Sequence, residues 1–223
     1  MRCDCRLILW RTAHALVECV LSRRDSYSSS LNPTPLPLRI AVWLWLIAAL
    51  FVGNANVLQR LPMPAIQGIL IALTGICLAC YFKVQTLKAW VDRLDLRALV
   101  ALHVTRFVGF YFLMLYQRGE LPYAFAVPGG WGDIIVAALA IVVCVIPVNQ
   151  ALRSRLITAW NVIGFVDIAL VVITAARLGL ENRFQMRALT HLPLSLLPTF
   201  LVPLIITTHI IIHLRLRGER IAP

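Results

Sequence analysis

Six apolar stretches of about twenty residues leave this chain few folds to choose from. They run over about 40–58, 64–82, 98–117, 132–149, 156–176 and 193–214. A bilayer core of about 30 Å takes roughly twenty helical residues to cross. Composition closes off the alternatives. The chain of 223 residues is 60% apolar and 14% charged, against about 45–50% and 25% in soluble domains. A water-soluble globule of this size cannot bury that much apolar surface, so a soluble enzyme, a disordered tail and a fibre are excluded. The expected fold class is an all-α integral membrane protein, a bundle of six transmembrane helices. Pro62 and Pro64 bound the second span, and VPGGWG precedes the fourth, with Asp133 near its start. Pro193, Pro198 and Pro203 should kink or loosen the sixth. No repeat of fixed period is evident.

The net charge of +11 is distributed as a topology signal. With the N-terminus inside, fifteen of the 21 Lys and Arg fall on the inner side and five on the outer side, with Arg106 inside a span. Leaving out the bases through Arg24, the ratio is still ten to five. The positive-inside rule then places both termini in the cytoplasm, with the bacterial inner membrane as the location. Basic residues lie between apolar runs rather than interleaved with aromatics, so nucleic acid is not an expected partner. The expected partners are the bilayer and a further membrane protein or a second copy.

Residues 1–39 form a cytoplasmic tail. RLILWRTAHALVECVLSRR (6–24) suits an interfacial helix, and DSYSSSLNPTPLPLR reads as a Ser/Pro linker. No small-residue cleavage site follows, so it is not a signal peptide. A start near Leu38 is the alternative. The membrane domain covers 40–215, and 216–223 is a short basic tail. Cys3, Cys5, Cys19, Cys77, Cys80 and Cys144 do not form a disulfide framework. Cys77 and Cys80 share a helix face, where they serve as packing residues.

Ionisable groups at membrane depth are expensive and mark sites. His103 and Arg106 fall in the third span, Asn161 and Asp167 in the fifth, and His209 in the sixth. At about 1.5 Å per residue, His103, Asn161 and His209 lie about 7 Å from the inner face, Arg106 about 12 Å and Asp167 about 16 Å. Arg106 and Asp167 are therefore expected to neutralise each other, as a staple between helices or as a substrate or proton site. His103, Arg106, Phe110, Leu113 and Gln117 form one stripe facing the bundle. Trp160, Gly164, Asp167 and Val171 share a face, with Gly164 admitting a close helix beside Asp167. Asn161 sits about 120° away.

The stretch RGELPYAFAVPGGWGD (118–133) is expected as an outer loop. Tyr123, Phe125 and Trp131 suit an interfacial aromatic belt, the glycines a tight turn, and Asp133 an N-cap or the mouth of a cavity. His209 and His213 share a helix face at a usable metal spacing, without the Glu of H-E-x-x-H. Two imidazoles on different spans, His103 and His209, are also a way to ligate haem iron. Cofactor-free protein, haem b and zinc all remain open.

From Arg106 onward the residues carry a resemblance. R-x-x-G-F (106–110), G-E-L-P-x-x-F-A (119–126), G-x-G-D (130–133), W-N-x-x-G-x-x-D (160–167) and P-x-x-x-x-P-x-x-x-x-x-H (198–209) resemble a group of uncharacterised bacterial multi-pass inner-membrane proteins. That resemblance covers about residues 100–215 and implies no activity. A second, partial one is to the alkaline ceramidase and adiponectin-receptor superfamily. It implies zinc held by His103, His209 and His213. The sequence departs from that family in having Leu99 where its early motif has Ser, and six helices rather than seven.

The functional expectation is a polar cavity between the third, fifth and sixth spans. It would involve Arg106, Asp167, Asn161, Asp133 and Gln117. The cavity would handle a small molecule or protons, or the bundle would stabilise a membrane complex. An intramembrane zinc hydrolase or a b-type haem carrier are the alternatives, so enzyme and non-enzyme both stay open. The orientation is testable. A single cysteine placed in 85–95 should resist an impermeant thiol reagent on intact cells, and one in 118–128 should react; the reverse pattern would overturn it.

Overall fold

In the computed structural model, residues 34–221 are described. The chain divides into Met1–Leu36 and Pro37–Pro223. The interfacial helix expected over 6–24, most of the Ser/Pro linker, and Cys3, Cys5 and Cys19 lie outside the described residues.

The described chain is helical throughout, with no strand. Its helices are α1 (Leu36–Asn54), α2 (Met63–Lys83), α3 (Gln85–Arg93), α4 (Leu96–Gln117), α5 (Tyr123–Val145), α6 (Gln150–Glu181) and α7 (Val202–Ile221). A single turn, Val57–Arg60, joins α1 to α2. Six helices among the described residues are long and apolar enough to cross a membrane: α1, α2, α4, α5, α6 and the rod Leu197–Gly218 that contains most of α7. The amphipathic α3 lies between α2 and α4. Partial burial pushes the Asp92 carboxyl up, but hydrogen bonds from Lys88 and Tyr81 outweigh it and hold it below its ordinary value.

Three local conformations depart from the sequence expectation, each for a physical reason. The stretch 118–133 is not a long loop: α5 starts at Tyr123, just after Pro122. Pro128 is inside this helix, where it forgoes one backbone bond. The glycines that read as a turn are used for packing. A methyl group on Gly109 would strike the Gly130 carbonyl and sit 2.9 Å from Asp133 Cβ, and one on Gly130 would sit 2.9 Å from the Gly109 carbonyl oxygen. The backbones of α4 and α5 therefore cross in direct contact. Asp133 is consequently mid-helix and buried, neither a cap nor a mouth. Phe125 is 2% exposed and belongs to the core, while Tyr123 and Trp131 face outward.

Secondly, α4 is not uniform. Leu102–Val108 is a 3-10 helix, with α-helix on both sides. At three residues per turn, side chains three apart eclipse. The buried stripe accordingly runs His103, Arg106, Gly109, Phe112, Leu115, and not through Phe110, Leu113 and Gln117. Phe110 and Gln117 are exposed.

Thirdly, Pro198 falls in a π-helical turn, Leu197–Leu201, and Pro203 in the first turn of α7 that follows it. Pro203 has no N–H to offer the carbonyl four residues back, that of Thr199. Trp45 Nε1 of α1 donates to that carbonyl at 2.9 Å, and the Trp45 and Phe200 rings meet edge to face at 4.9 Å. This contact and the seating of Gly53 against Leu192 and Ser195 anchor α1, whose buried residues are Ala49 and Gly53. Finally, α6 is longer than the expected 156–176, with 32 residues and a cap from Asn149, whose side chain accepts from the Leu152 N–H. Its polar ends continue the helix beyond the apolar stretch.

The α4–α5 crossing gives a stability test. Gly109→Ala and Gly130→Ala should each destabilise by about 1–3 kcal/mol through overpacking. Gly68→Ala and Gly75→Ala on α2, where a methyl group meets nothing within 4 Å, should not destabilise. Thermal unfolding in detergent measures the difference.

Candidate functional site

Two stacked layers of polar side chains lie inside the bundle. The first centres on Arg106, which is wholly buried. Its Nε donates to Asp133 Oδ1 of α5 at 2.6 Å, its Nη1 to the Gly164 carbonyl of α6 at 3.0 Å, and its Nη2 to Asp167 Oδ2 of α6. Glycines make the approach possible: a methyl group on Gly132 would collide with the Asp167 carboxylate. Asp133 is buried and Asp167 is partly exposed. Sequence spacing pairs Arg106 with Asp167; the structure adds Asp133. The missed signal was the start of α5. Counted from Tyr123, Asp133 falls at the middle of its helix and so at the depth of Arg106. With all three ionised, one cation faces two anions and the cluster carries a net charge of −1.

The second layer holds His103, Trp160, Asn161, Thr208 and His209. The two imidazole centroids lie 4.2 Å apart. Trp160 stands edge to face on His103 at 4.8 Å and donates its Nε1 hydrogen to the Val136 carbonyl at 3.0 Å. The hydrogen bonds assign the neutral tautomers. Asn161 Nδ2 donates to the His209 carbonyl at 3.1 Å, which turns Asn161 Oδ1 toward His209 Nδ1 at 2.8 Å. Nδ1 therefore carries the hydrogen, and Nε2 is a bare lone pair with no partner. The Thr208 hydroxyl donates to the carbonyls of Leu204 and Ile205, leaving its oxygen to accept from His103 Nε2 at 3.1 Å. His103 Nδ1 is then the second bare, unpartnered nitrogen. Both rings are fully buried.

Gly164 links the layers. Its carbonyl receives Arg106, and a methyl group there would sit 2.7 Å from His209 Cε1 and 3.2 Å from Nε2. Asn161 belongs to the imidazole layer and not to the ion cluster. Gln117 is exposed at the end of α4, away from both.

The cofactor readings meet this geometry directly. A haem with two axial imidazoles needs the porphyrin plane between them, and rings 4.2 Å apart leave no room for it. Among the described residues no group of three or more His, Cys, Asp or Glu is placed to hold a metal. His213 is half-buried and is not brought into a ligand set with the other two histidines, so the three-histidine zinc site does not form.

Beside the ion cluster lies a cavity of about 70 Å³, room for about two waters. Arg106 and Asp133 form part of its wall, and Gln67 and Thr190 are its other polar lining residues. The rest is apolar, contributed by α2, α4, α5, α6 and the segment from Met186 to Ile205.

A family model for a domain of unknown function (DUF8737) matches residues 63–217. The chain belongs to that family. In the DUF8737 chain the match takes in both polar layers and the cavity, and begins at α2, so α1 lies outside it. No curated protein and no solved structure matches it.

The ion cluster predicts strong coupling. Arg106→Met should cost about 3–5 kcal/mol by leaving the buried Asp133 carboxylate unpaired. Combining it with Asp133→Leu should cost clearly less than the sum of the single losses. Strictly additive losses in unfolding experiments would show that the two do not act as a pair.

Proposed function

We propose that this DUF8737 protein is a multi-pass inner-membrane protein that passes protons through its bundle, with both termini in the cytoplasm. The observation that carries the proposal is the excess carboxylate. A buried guanidinium with one buried and one partly exposed carboxylate lacks one positive charge, and an uncompensated charge in a low-dielectric surrounding is costly. A proton is the smallest species that removes it.

The surroundings support the same reading. The side chains pointing away from the bundle are apolar over long stretches, such as Trp43, Leu44, Ile47 and Phe51 on α1 and Val162, Val166, Leu170 and Ile173 on α6. They suit lipid or a neighbouring membrane subunit. By the count of bases, the ends carrying Lys83, Arg97, Arg153 and Arg215 face the cytoplasm. The cavity then lies on the outer side of the ion cluster, and the imidazole layer on the inner side.

A proton entering by way of water in the cavity meets Asp133. From there the Arg106 cluster passes it inward, and the bare nitrogens of His209 and His103 are the next acceptors. Neutral imidazole accepts a proton on its bare nitrogen and releases one from the other, which leaves the opposite tautomer, so each ring turns over to reset before the next proton. The rival reading is a purely structural staple that holds a membrane complex together.

Proteoliposomes containing a trapped pH dye separate the two. Under a potassium diffusion potential, the wild type should acidify or alkalinise the lumen well above empty vesicles. Asp133→Asn and His209→Gln should lower that rate by tenfold or more. Folded wild-type protein with no flux above empty vesicles would overturn proton passage and leave the staple.

A further inference from the structure

A groove at the end of the bundle that carries the α1–α2 turn is lined by two arginines and by no acid among the described residues. We propose that it binds the phosphate of an anionic phospholipid such as phosphatidylglycerol, taken from the outer leaflet. The groove is separate from the ion cluster, and the proposal shares with proton passage only the placement of the chain in the membrane.

The walls of the groove come from two connections between spans. One is the turn Val57–Arg60 with Leu61 after it, which contributes Gln59 and Leu61. The other is the 3-10 helix Arg183–Thr190 that follows α6. Its repeat of about three residues per turn sorts the side chains by face. Met186 and Leu189 line the internal cavity, Phe184 and Arg187 line the groove, and Thr190 lines both. Local hydrogen bonds hold this short helix in place. Asn182 accepts from the Phe184 N–H at 3.0 Å, and the Thr190 hydroxyl donates to the Arg187 carbonyl at 2.7 Å. Arg183 Nη2 reaches across to the Gln59 carbonyl at 2.8 Å and ties the two walls together.

Four features select the ligand. The first is charge. Arg183 and Arg187 are not neutralised within the groove, and the acid closest in sequence, Glu181, faces Arg177 at 3.9 Å. The second is the set of free donors. Arg183 commits one N–H to Gln59, and the Arg187 side chain has no acceptor among the described residues. Guanidinium forks match phosphate oxygens in geometry as well as charge. The third is size. The groove holds about 210 Å³, whereas a cavity of about 150 Å³ accommodates benzene, so a phosphate group has room there. The fourth is depth. The span Leu36–Asn54 ends and the span Pro64–Lys83 begins a few residues from Gln59 and Leu61. That places the groove in the headgroup layer, about 5–7 Å deep on each side of the hydrocarbon. Basic pockets at this level suit anionic headgroups. Phe184 is 76% exposed at the groove and Leu180, in the last turn of α6, is 66% exposed. These apolar surfaces suit the glycerol and acyl carbons of a lipid and offer nothing to a free phosphate ion. A zwitterionic lipid would bring a cation toward two uncompensated arginines.

The full chain purified in detergent is titrated with dioleoyl phosphatidylglycerol or dioleoyl phosphatidylcholine, and bound lipid is counted by native mass spectrometry. Phosphatidylglycerol should bind at least fivefold more tightly than phosphatidylcholine. Arg187→Gln should weaken it at least fivefold. Since the Arg187 guanidinium holds no other part of the described chain, that loss is not a folding effect. Adding Arg183→Gln should abolish the preference. Arg118→Gln removes the same charge from an exposed position outside the groove and should leave binding unchanged. Millimolar inorganic phosphate should not displace the lipid. Equal losses in Arg187→Gln and Arg118→Gln would reduce the effect to net charge and overturn the site, as would equal binding of the two lipids. Displacement by inorganic phosphate would assign the groove to a free anion and overturn the lipid. Wild type without proton flux that still prefers phosphatidylglycerol would remove proton passage alone, and flux without that preference would remove the groove alone.

Discussion

A guanidinium with no access to water must be answered on every side, and the arrangement of α4, α5 and α6 follows from how Arg106 is answered. Its Nε, Nη1 and Nη2 are taken by Asp133, Gly164 and Asp167, from two different helices. Side-chain reach is short, so three helix backbones must converge around one point. That convergence explains the placement of glycine. Gly109 and Gly130 let α4 and α5 touch, Gly132 makes room for the Asp167 carboxylate, and Gly164 offers its carbonyl to Arg106 and its open face to His209. Bulk at Gly132 would push the Asp167 carboxylate away from its cation, and the cost of an unpaired charge adds to that of the packing defect.

The irregular helix segments serve the same end. In a regular α-helix, residues 103, 106 and 109 fan out around the axis. The 3-10 turn Leu102–Val108 brings them onto one line, so the imidazole, the guanidinium and the glycine contact all face inward. The π turn Leu197–Leu201 does the corresponding task at the start of α7, where prolines leave carbonyls without internal partners. One of those carbonyls receives Trp45, which ties α1 to the rest, although α1 lies outside the family match. Thus the polar layers, the cavity and the anchoring of α1 all depend on helix stretches that are not ideal.

Much of this was legible in the sequence. Apolar stretches of the right length gave six helices, because burial of apolar surface depends on composition and length rather than on partners. Arg106 with Asp167, and His103 with His209, were expected at matching depths, since helical rise alone converts residue number into height. Asp133 was misplaced because Pro128 and three glycines read as a turn, and that moved the start of α5 by nine residues. Gln117 was included because α-helical periodicity was carried through a segment that is 3-10. Thr208 was not singled out: a threonine in an apolar run gives no sign that it will meet a histidine more than a hundred residues away.

The sequence by itself determined the number of long helices, their order and the height of each ionisable group along its helix, all of which are local properties of rise and hydrophobicity. The tertiary structure decided which faces meet. Rotation about the helix axis changes by about 100° per residue in an α-helix and about 120° in a 3-10 helix, so a short change of helix type redirects every side chain beyond it. Whether Arg106 has one carboxylate or two, whether two imidazoles touch or accommodate a porphyrin, and where the cavity opens beside them depend on those rotations. Only the packed helices fix them.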